Sequence, residues 1–520
     1  MSLQDITNDQ LHALSFASAG EQARALAEGR VSAVALLEHL LARIDRFDGA
    51  LNAVPVRDDE RARAAAREAD AALARGERRP LLGVPVTVKE SFDVAGLVTS
   101  SGNPAFADNV AREDSLAVAA LREAGAVIVG KSNVPLGLAD LQSYNAVYGI
   151  SNNPWDPART PGGSSGGSAA ALAAGYVALE IGTDIGGSIR IPAHFNGVYG
   201  HKPTAGLVAL RGTGVPSGRH AERDLVVAGP LARTASDLEL ALGLLINRDP
   251  LLAKGWKASL PPARHAWLSD FRVLVIDQWP GSERSVHERQ VSERVVDRLR
   301  TQGVQVSRPA DLPPGLLPDL VRSHRVYRSL LGSSLATPPA LSEAAQQRLE
   351  ALSPEDDSAD AAWLRASTLR HSQWLQDHEA RVALRHQWER FFAQFDVVVT
   401  PVAPLPAFRH NHDEPKDART YPVAFEDGTR EVRFLDLFAW AGLPVLPGLP
   451  ATSFPIGLDD EGLPVSAQAI GAYLEDRTTI AFARLLEEAY GGFIAPPGYE
   501  DSVAAPTTPA TPAAPTAPAA

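Results

Sequence analysis

The chain has 520 residues, 45% of them hydrophobic and 21% charged, which is the composition of a globular protein with room for a large buried core. Sixty-two acidic against 49 basic residues give a net charge of −13 with no basic block, which sets nucleic acid aside as a ligand, and the absence of cysteine excludes disulfides, thiolate metal sites and a cysteine nucleophile. The N-terminal stretch MSLQDITNDQLHALS is polar and no apolar run reaches the roughly 18 residues of a membrane span, so the expectation is a cytoplasmic protein without a secretory signal or a span.

In chain order, Ser32 is placed to cap a helix on which Val34, Leu37, Leu41, Ile44 and Phe47 recur at helical spacing until Asp48-Gly49. LNAVPV (51–56) reads as a strand, Arg57 to Arg75 as a helix, and GVPVTV (83–88) as a short buried strand ending at Lys89. SLAVAALREAG followed by AVIVG is a helix, a glycine stop and a strand, and the alternation continues with FRVLVID (271–277), a helix over 286–300, VQV, DVVVT (396–400) and a helix over 478–489. Such alternation predicts an α/β fold with helices covering a central sheet. The stretch from about 315 to 395 is helical in pattern and suited to capping that sheet, while the Pro/Ala/Thr-rich residues 501–520 offer nothing to bury and are expected to be a disordered tail.

Two glycine-serine turns stand out. GGSSGGS (162–168) packs four glycines and three serines together, and twenty-four residues on GTDIGGSIRIPAHFNGVYGHKPT brings a second Gly-Gly-Ser at 186–188. The first turn lacks the lysine that a phosphate-binding P-loop needs. It matches the G-x-S-x-G nucleophile elbow in form, but the approach NPWDPARTP carries three prolines where that motif requires a strand. Glycines before a serine leave backbone N–H groups uncovered, which suits a developing oxyanion. A serine pair still needs a base. Arginine cannot serve, and the chain holds only six lysines among its 49 basic residues, so Lys89, Lys131 and Lys202 near the two turns are the candidates, with His194 and His201 beside them. Burial at the end of an apolar strand would depress the pKa of Lys89. Composition does not choose among the three lysines.

GVPVTVKESFDVAG, GKSNVP, YGISNNPWDPARTPGGSSGGSAAALAAG, GTDIGGSIRIPAHFNGVYGHKPT, GPLARTASDLELAL and GLPVSAQAIG, in that order, resemble the successive blocks of the amidase signature family. The match is dense over 81–242, returns over 443–490 and is weak over about 250–440, a part then expected to line or cap the pocket. The resemblance implies one α/β/α catalytic domain over 1–500 with a large, mixed, twisted central sheet, and a Ser-Ser-Lys unit needing no cofactor and no metal. Carried over by position, Ser188 is the nucleophile, Ser164 the bridging serine after a cis peptide from Gly163, and Lys89 the base. The N–H groups of Ile185, Gly186, Gly187 and Ser188 would form the oxyanion hole. Ser165, Asp184 and Arg190 would support the loops, with recognition of a substrate carboxylate as the rival role for Arg190. Gly137, Leu138 and Asp140 would touch substrate. Asn196 stands where similar family sequences often carry cysteine.

The implied reaction is hydrolysis of a small-molecule carboxylic amide through a serine acyl-enzyme, and a homodimer is compatible with it. Rival readings are an esterase or carbamate-cleaving member of the family, or an A-subunit-type glutaminase of a tRNA-dependent amidotransferase. VPLGLADLQSYNAVYG departs from the MDEFAMGSSTENSAYG-like block of the latter. A silent binding scaffold is disfavoured by the intact Lys89, Ser164 and Ser188.

Overall fold

Ser32 accepts the Ala35 N–H at 3.0 Å and opens helix α1 (Ala33–Leu51), which buries Leu36, Leu37, Leu40, Leu41 and Ile44, in the computed structural model that describes residues 7–216, 221–335 and 343–499. The expected tail, 501–520, lies outside the described residues. Asp48-Gly49 does not stop α1. The helix runs to Leu51 and ends at Asn52 in the left-handed conformation (φ 49°), with the Asp48 carboxylate reaching forward to the N–H groups of Ala53 (2.7 Å) and Val54 (3.1 Å). The strand expected over 51–56 shrinks accordingly to β1 (Val56–Arg57), since Leu51 is spent on the helix and Pro55 has no N–H for a ladder.

The sheets are built from β2 (Pro85–Lys89), β3 (Val127–Ser132), β4 (Leu179–Asp184), β5 (Tyr199–Lys202), β6 (Val227–Ala232), β7 (Arg272–Val275), β8 (Gln305–Ser307), β9 (Val397–Pro401), β10 (Ala451–Leu458) and β11 (Pro464–Ile470). Eight of them pair in the order β8-β7-β9-β11-β10-β5-β6-β4, parallel among β8, β7 and β9 and antiparallel beyond. A second sheet, β1-β3-β2, holds β2 parallel to β3 with Lys89 opposite Ser132. The two meet where the Thr87 hydroxyl donates to the Glu180 carboxylate at 2.6 Å, which sets β2 against β4. The fold is therefore the mixed α/β architecture expected from the sequence.

Helix α2 (Gly166–Ala173) is buried along its whole length, and α3 (Arg190–Asn196) is equally covered. Neither short helix has a solvent-exposed face, because both pack in the interior against each other and the sheet, and the polar side chains of α3, Arg190, His194 and Asn196, turn to buried partners. Among the described residues of 315–395, α4 (Leu320–Leu335), α5 (Ala359–Ala366) and a long helix over His371–Phe392 give the helical character expected.

Arg233, just past β6 and buried, donates to the carbonyls of Ser15, Phe16, Ala17, Leu172 and Val177, tying the N-terminal helices to the end of α2. These are charge-assisted bonds, those to Ser15, Leu172 and Val177 buried away from solvent. Arg233→Met is expected to lower unfolding free energy by at least about 3 kcal/mol in denaturant titration. A loss under about 1 kcal/mol would mean that water satisfies these carbonyls.

Candidate active site

Lys89 closes β2, whose five residues are all buried. Its Nζ lies 2.6 Å from Ser164 Oγ, 2.8 Å from Thr183 Oγ1 and 3.4 Å from the Thr183 carbonyl. Burial pulls its pKa from the ordinary 10.5 to about 7, against the opposing pull of Asp184 and Glu180. Lys131 and Lys202 are also buried and lowered, to about 8 and about 7, again chiefly by burial. Their ammonium groups bond elsewhere: Lys131 to Thr99 and the Val98 carbonyl, Lys202 to the Pro203 carbonyl at 2.9 Å. Proximity to a serine, rather than a lowered pKa, singles out Lys89.

Ser164 follows the cis peptide Gly163–Ser164 and precedes α2. A Cβ on Gly163 would sit 2.5 Å from the Asp140 carbonyl and 2.7 Å from the Gln142 N, so only glycine lets the 137–142 loop press onto this turn. Ser143, from that loop, clamps the turn by donating to the Gly162 carbonyl (3.0 Å) and accepting the Gly166 N–H (3.1 Å). Asn196 adds a link from α3, donating to the Pro161 and Pro192 carbonyls at 2.7 and 2.8 Å.

The second turn lies against the first: the Ser165 N–H donates to the Ser188 carbonyl at 3.1 Å. The Ser165 hydroxyl does not support the loop by a hydrogen bond of its own. It has no partner among the described residues, and its oxygen packs onto Gly182, where a Cβ would meet it at 2.7 Å. Asp184 and Arg190 form a fully buried pair at 2.9 Å, and Asp184 also accepts the N–H groups of Gly187 (2.8 Å) and Ile189 (3.1 Å). Burial alone would raise the Asp184 pKa, but Arg190 and these N–H groups outweigh it and hold the carboxyl below its usual range. Arg190 also donates to Gln468 and the Ala441 carbonyl, is fully buried, and does not line the cavity.

The Gly187 N–H belongs to Asp184, which removes it from the expected oxyanion group. The N–H groups of Ile185, Gly186 and Ser188 have no partner among the described residues, and these three residues line the large cavity, whereas Gly187 does not. Ser164 is 1% exposed; Ser188 is 7% exposed and faces the cavity, so Ser188 is the serine that a substrate can reach. His194 faces the Leu405 carbonyl and His201 bonds Thr452 and Asp476, so neither histidine serves the serines.

The cavity holds about 1080 Å³ and is walled chiefly by Leu138, Leu331, Trp363, Phe434 and Phe438. Gly137, Leu138 and Asp140, the expected substrate contacts, are among the residues that line it. Of its charged side chains, Asp140 pairs with Arg419 (2.6 Å), Asp360 with Arg328 and Arg433, and Lys416 donates to the Ala139 carbonyl (2.7 Å), while Arg348 and Asp417 line it without an ion pair among the described residues. Among the described residues no group of three or more His, Asp or Glu is placed to hold a metal, and no helix is long and apolar enough to cross a membrane. Sequence reading missed Thr183 and Ser143. Thr183 sits within GTDIGGS, one residue before the aspartate, and a hydroxyl on a buried strand beside a lysine is the signal that could have found it.

The structure thus joins a lysine-serine contact to two glycine-serine turns beside a cavity. The family profile for amidases matches residues 35–480. The chain is 34% identical over 503 residues to the A subunit of the glutamyl-tRNA(Gln) amidotransferase of Anaeromyxobacter sp. (strain K), covering 92% of this chain and 96% of that protein. It is 31% identical over 527 residues to the fatty-acid amide hydrolase 2-A of Danio rerio, covering 95% and 92%. A crystal structure of an amidase superposes with a TM-score of 0.70 at 30% identity, over 91% of this chain and 100% of that one. The chain belongs to the amidase signature family and is a hydrolase acting on amide C–N bonds.

Removing one member of a buried ion pair leaves the other charge uncompensated. Asp184→Ala, which strands Arg190 and frees the Gly187 and Ile189 N–H groups, is expected to cost about 3–5 kcal/mol of stability. Unchanged thermal unfolding in this variant would show that the pair does not hold the loop.

Proposed function

We propose that the chain hydrolyses amides through an acyl-enzyme on Ser188, with Ser164 relaying protons to and from Lys89. The observation that carries this reading is the 2.6 Å contact between a fully buried Lys89 and Ser164. A lysine whose pKa lies at about 7 is substantially neutral at physiological pH and can accept a proton. Neutral Lys89 takes the Ser164 proton as Ser164 takes that of Ser188, and Ser188 Oγ bonds to the amide carbon. The carbonyl oxygen gains negative charge and is met by the N–H groups of Ile185, Gly186 and Ser188. The C–N bond then breaks, the departing nitrogen takes its proton from Ser164, and Ser164 is reprotonated from Lys89. Water, deprotonated along the same route, cleaves the ester and restores Ser188.

The wall of the cavity supports neutral amides that carry a sizeable apolar group. Its volume is generous for a small ligand, its surface is mostly aliphatic and aromatic, and Asp140 and Asp360 on it are paired within the protein. Similarity to the glutamyl-tRNA(Gln) amidotransferase favours a second reading, a glutaminase working with partner subunits. Glutamine would bring an ammonium and a carboxylate into a wall that is chiefly apolar, where Asp417 and Arg348 stand without an ion pair among the described residues. Copurification with partner subunits together with preference for glutamine would favour that second reading.

Ser188→Ala is expected to abolish both hydrolysis and covalent labelling by a serine reagent while the protein stays folded; labelling that survives it but is lost in Ser165→Ala would reassign the nucleophile. Lys89→Arg keeps a positive charge but cannot accept a proton, so it is expected to lose activity by roughly 10²–10⁴-fold, nearly as much as Lys89→Ala. With a folded-state pKa of about 7, protonation switches the base off, so kcat/KM should fall tenfold per pH unit below that value in the wild type. Substantial activity in Lys89→Arg with an unchanged acidic limb would exclude the base role. In a substrate screen, aryl and longer acyl amides should exceed glutamine in kcat/KM by more than about tenfold, the worth of burying about two methylenes.

A further inference from the structure

Behind the loop that carries Ser188, a hydroxyl from the weakly matching middle of the chain touches the loop backbone. Tyr327, on α4 and 1% exposed, donates its phenol O–H to the Ile185 carbonyl at 3.1 Å. The Ile185–Gly186 peptide is trans, and in a planar trans peptide the C=O and the following N–H point to opposite sides. Ile185 and Gly186 line the cavity, whereas Tyr327 sits behind them. A carbonyl drawn back to Tyr327 therefore turns the Gly186 N–H toward the cavity.

The ring is seated independently of its hydroxyl. Its edge lies against Gly442, where a Cβ would collide with Tyr327 Cε1, and its oxygen lies over Gly186, where a Cβ would stand 2.7 Å away. Burial pushes the phenol pKa above its ordinary value, so the group stays a donor. Leu331 and Leu335, one and two turns further along α4, line the cavity, so one helix touches both the substrate space and the oxyanion peptide.

We propose that Tyr327 is a positioning residue for the oxyanion hole: its hydroxyl fixes the Ile185–Gly186 peptide with the N–H, rather than the carbonyl, presented to the reacting oxygen. This rests on the acyl-enzyme reading above. A peptide free to turn would place a carbonyl dipole against the developing charge, and such donors act only when held in place beforehand. The role is not one that the sequence motifs carry, since Tyr327 lies outside every signature block.

The test compares wild type, Tyr327→Phe and Leu331→Ala on one neutral aryl amide, with phenylboronic acid as a probe that forms a tetrahedral adduct on serine. Tyr327→Phe is expected to lower kcat by about 10–100-fold with KM within about threefold, and to raise the phenylboronic acid Ki by a comparable factor, while the melting temperature stays within a few degrees. Leu331→Ala should raise KM and keep kcat within about threefold. The proposal is overturned by a Tyr327→Phe kcat within threefold of wild type, by a Tyr327→Phe protein that does not fold, or by Leu331→Ala reproducing the same kcat loss. A wild type that neither cleaves the amide nor labels at Ser188 sinks the acyl-enzyme reading and this inference together, whereas an active wild type with an unaffected Tyr327→Phe sinks this inference alone.

Discussion

A lysine taken out of water without a carboxylate to hold its proton is the constraint around which this molecule is arranged. Two acids stand near Lys89, and either could have fixed its charge by direct contact. Both are occupied. Asp184 is satisfied by Arg190 and two backbone N–H groups, and Glu180 accepts from Thr87, with its own pKa raised to about 7 by burial. Lys89 is left facing hydroxyl groups, those of Ser164 and Thr183. The buried Asp184–Arg190 pair thus ties down the loop that carries Ser188 and gives the Asp184 carboxylate a cation other than Lys89.

The second constraint is distance between backbones. Two turns, a third loop and two interior helices converge within a few ångströms, and side chains of ordinary size would hold them apart. Gly163 lets the Asp140 carbonyl approach, and Gly187, at φ 102°, is faced by Ala441 and Ile191 where a Cβ would stand 2.7 Å from each. The clustering of glycines is therefore a packing requirement as much as a conformational one. The serines divide by environment: Ser188 opens to the cavity, Ser164 meets the lysine, Ser168 pairs with Ser132 at 2.7 Å, and Ser165 acts through its backbone N–H.

The middle of the chain, where family resemblance fades, does not merely fill space. Its helices α4 and α5 and the residues Phe434 to Phe438 supply much of the cavity wall. The relatives include a tRNA-dependent amidotransferase component and a fatty-acid amide hydrolase, so one scaffold accompanies differently named activities.

Periodicity and capping in the sequence determined α1, the helices of 315–395 and the apolar strands at Lys89 and 396–400, because each is specified by its own neighbours in the chain. The signature blocks also named Lys89, Ser164 and Ser188. Local pattern could not reveal β4, β5, β6 or β11, whose glycine, alanine and polar residues carry little strand propensity; burial between helix layers makes them strands. Nor could it distinguish three buried lysines of similarly lowered pKa, commit the Gly187 N–H to Asp184, or bring Tyr327 behind Ile185 across 142 residues. Those are decided by which groups the folded chain puts within hydrogen-bonding reach, a property of packing between distant segments that no single stretch of sequence contains.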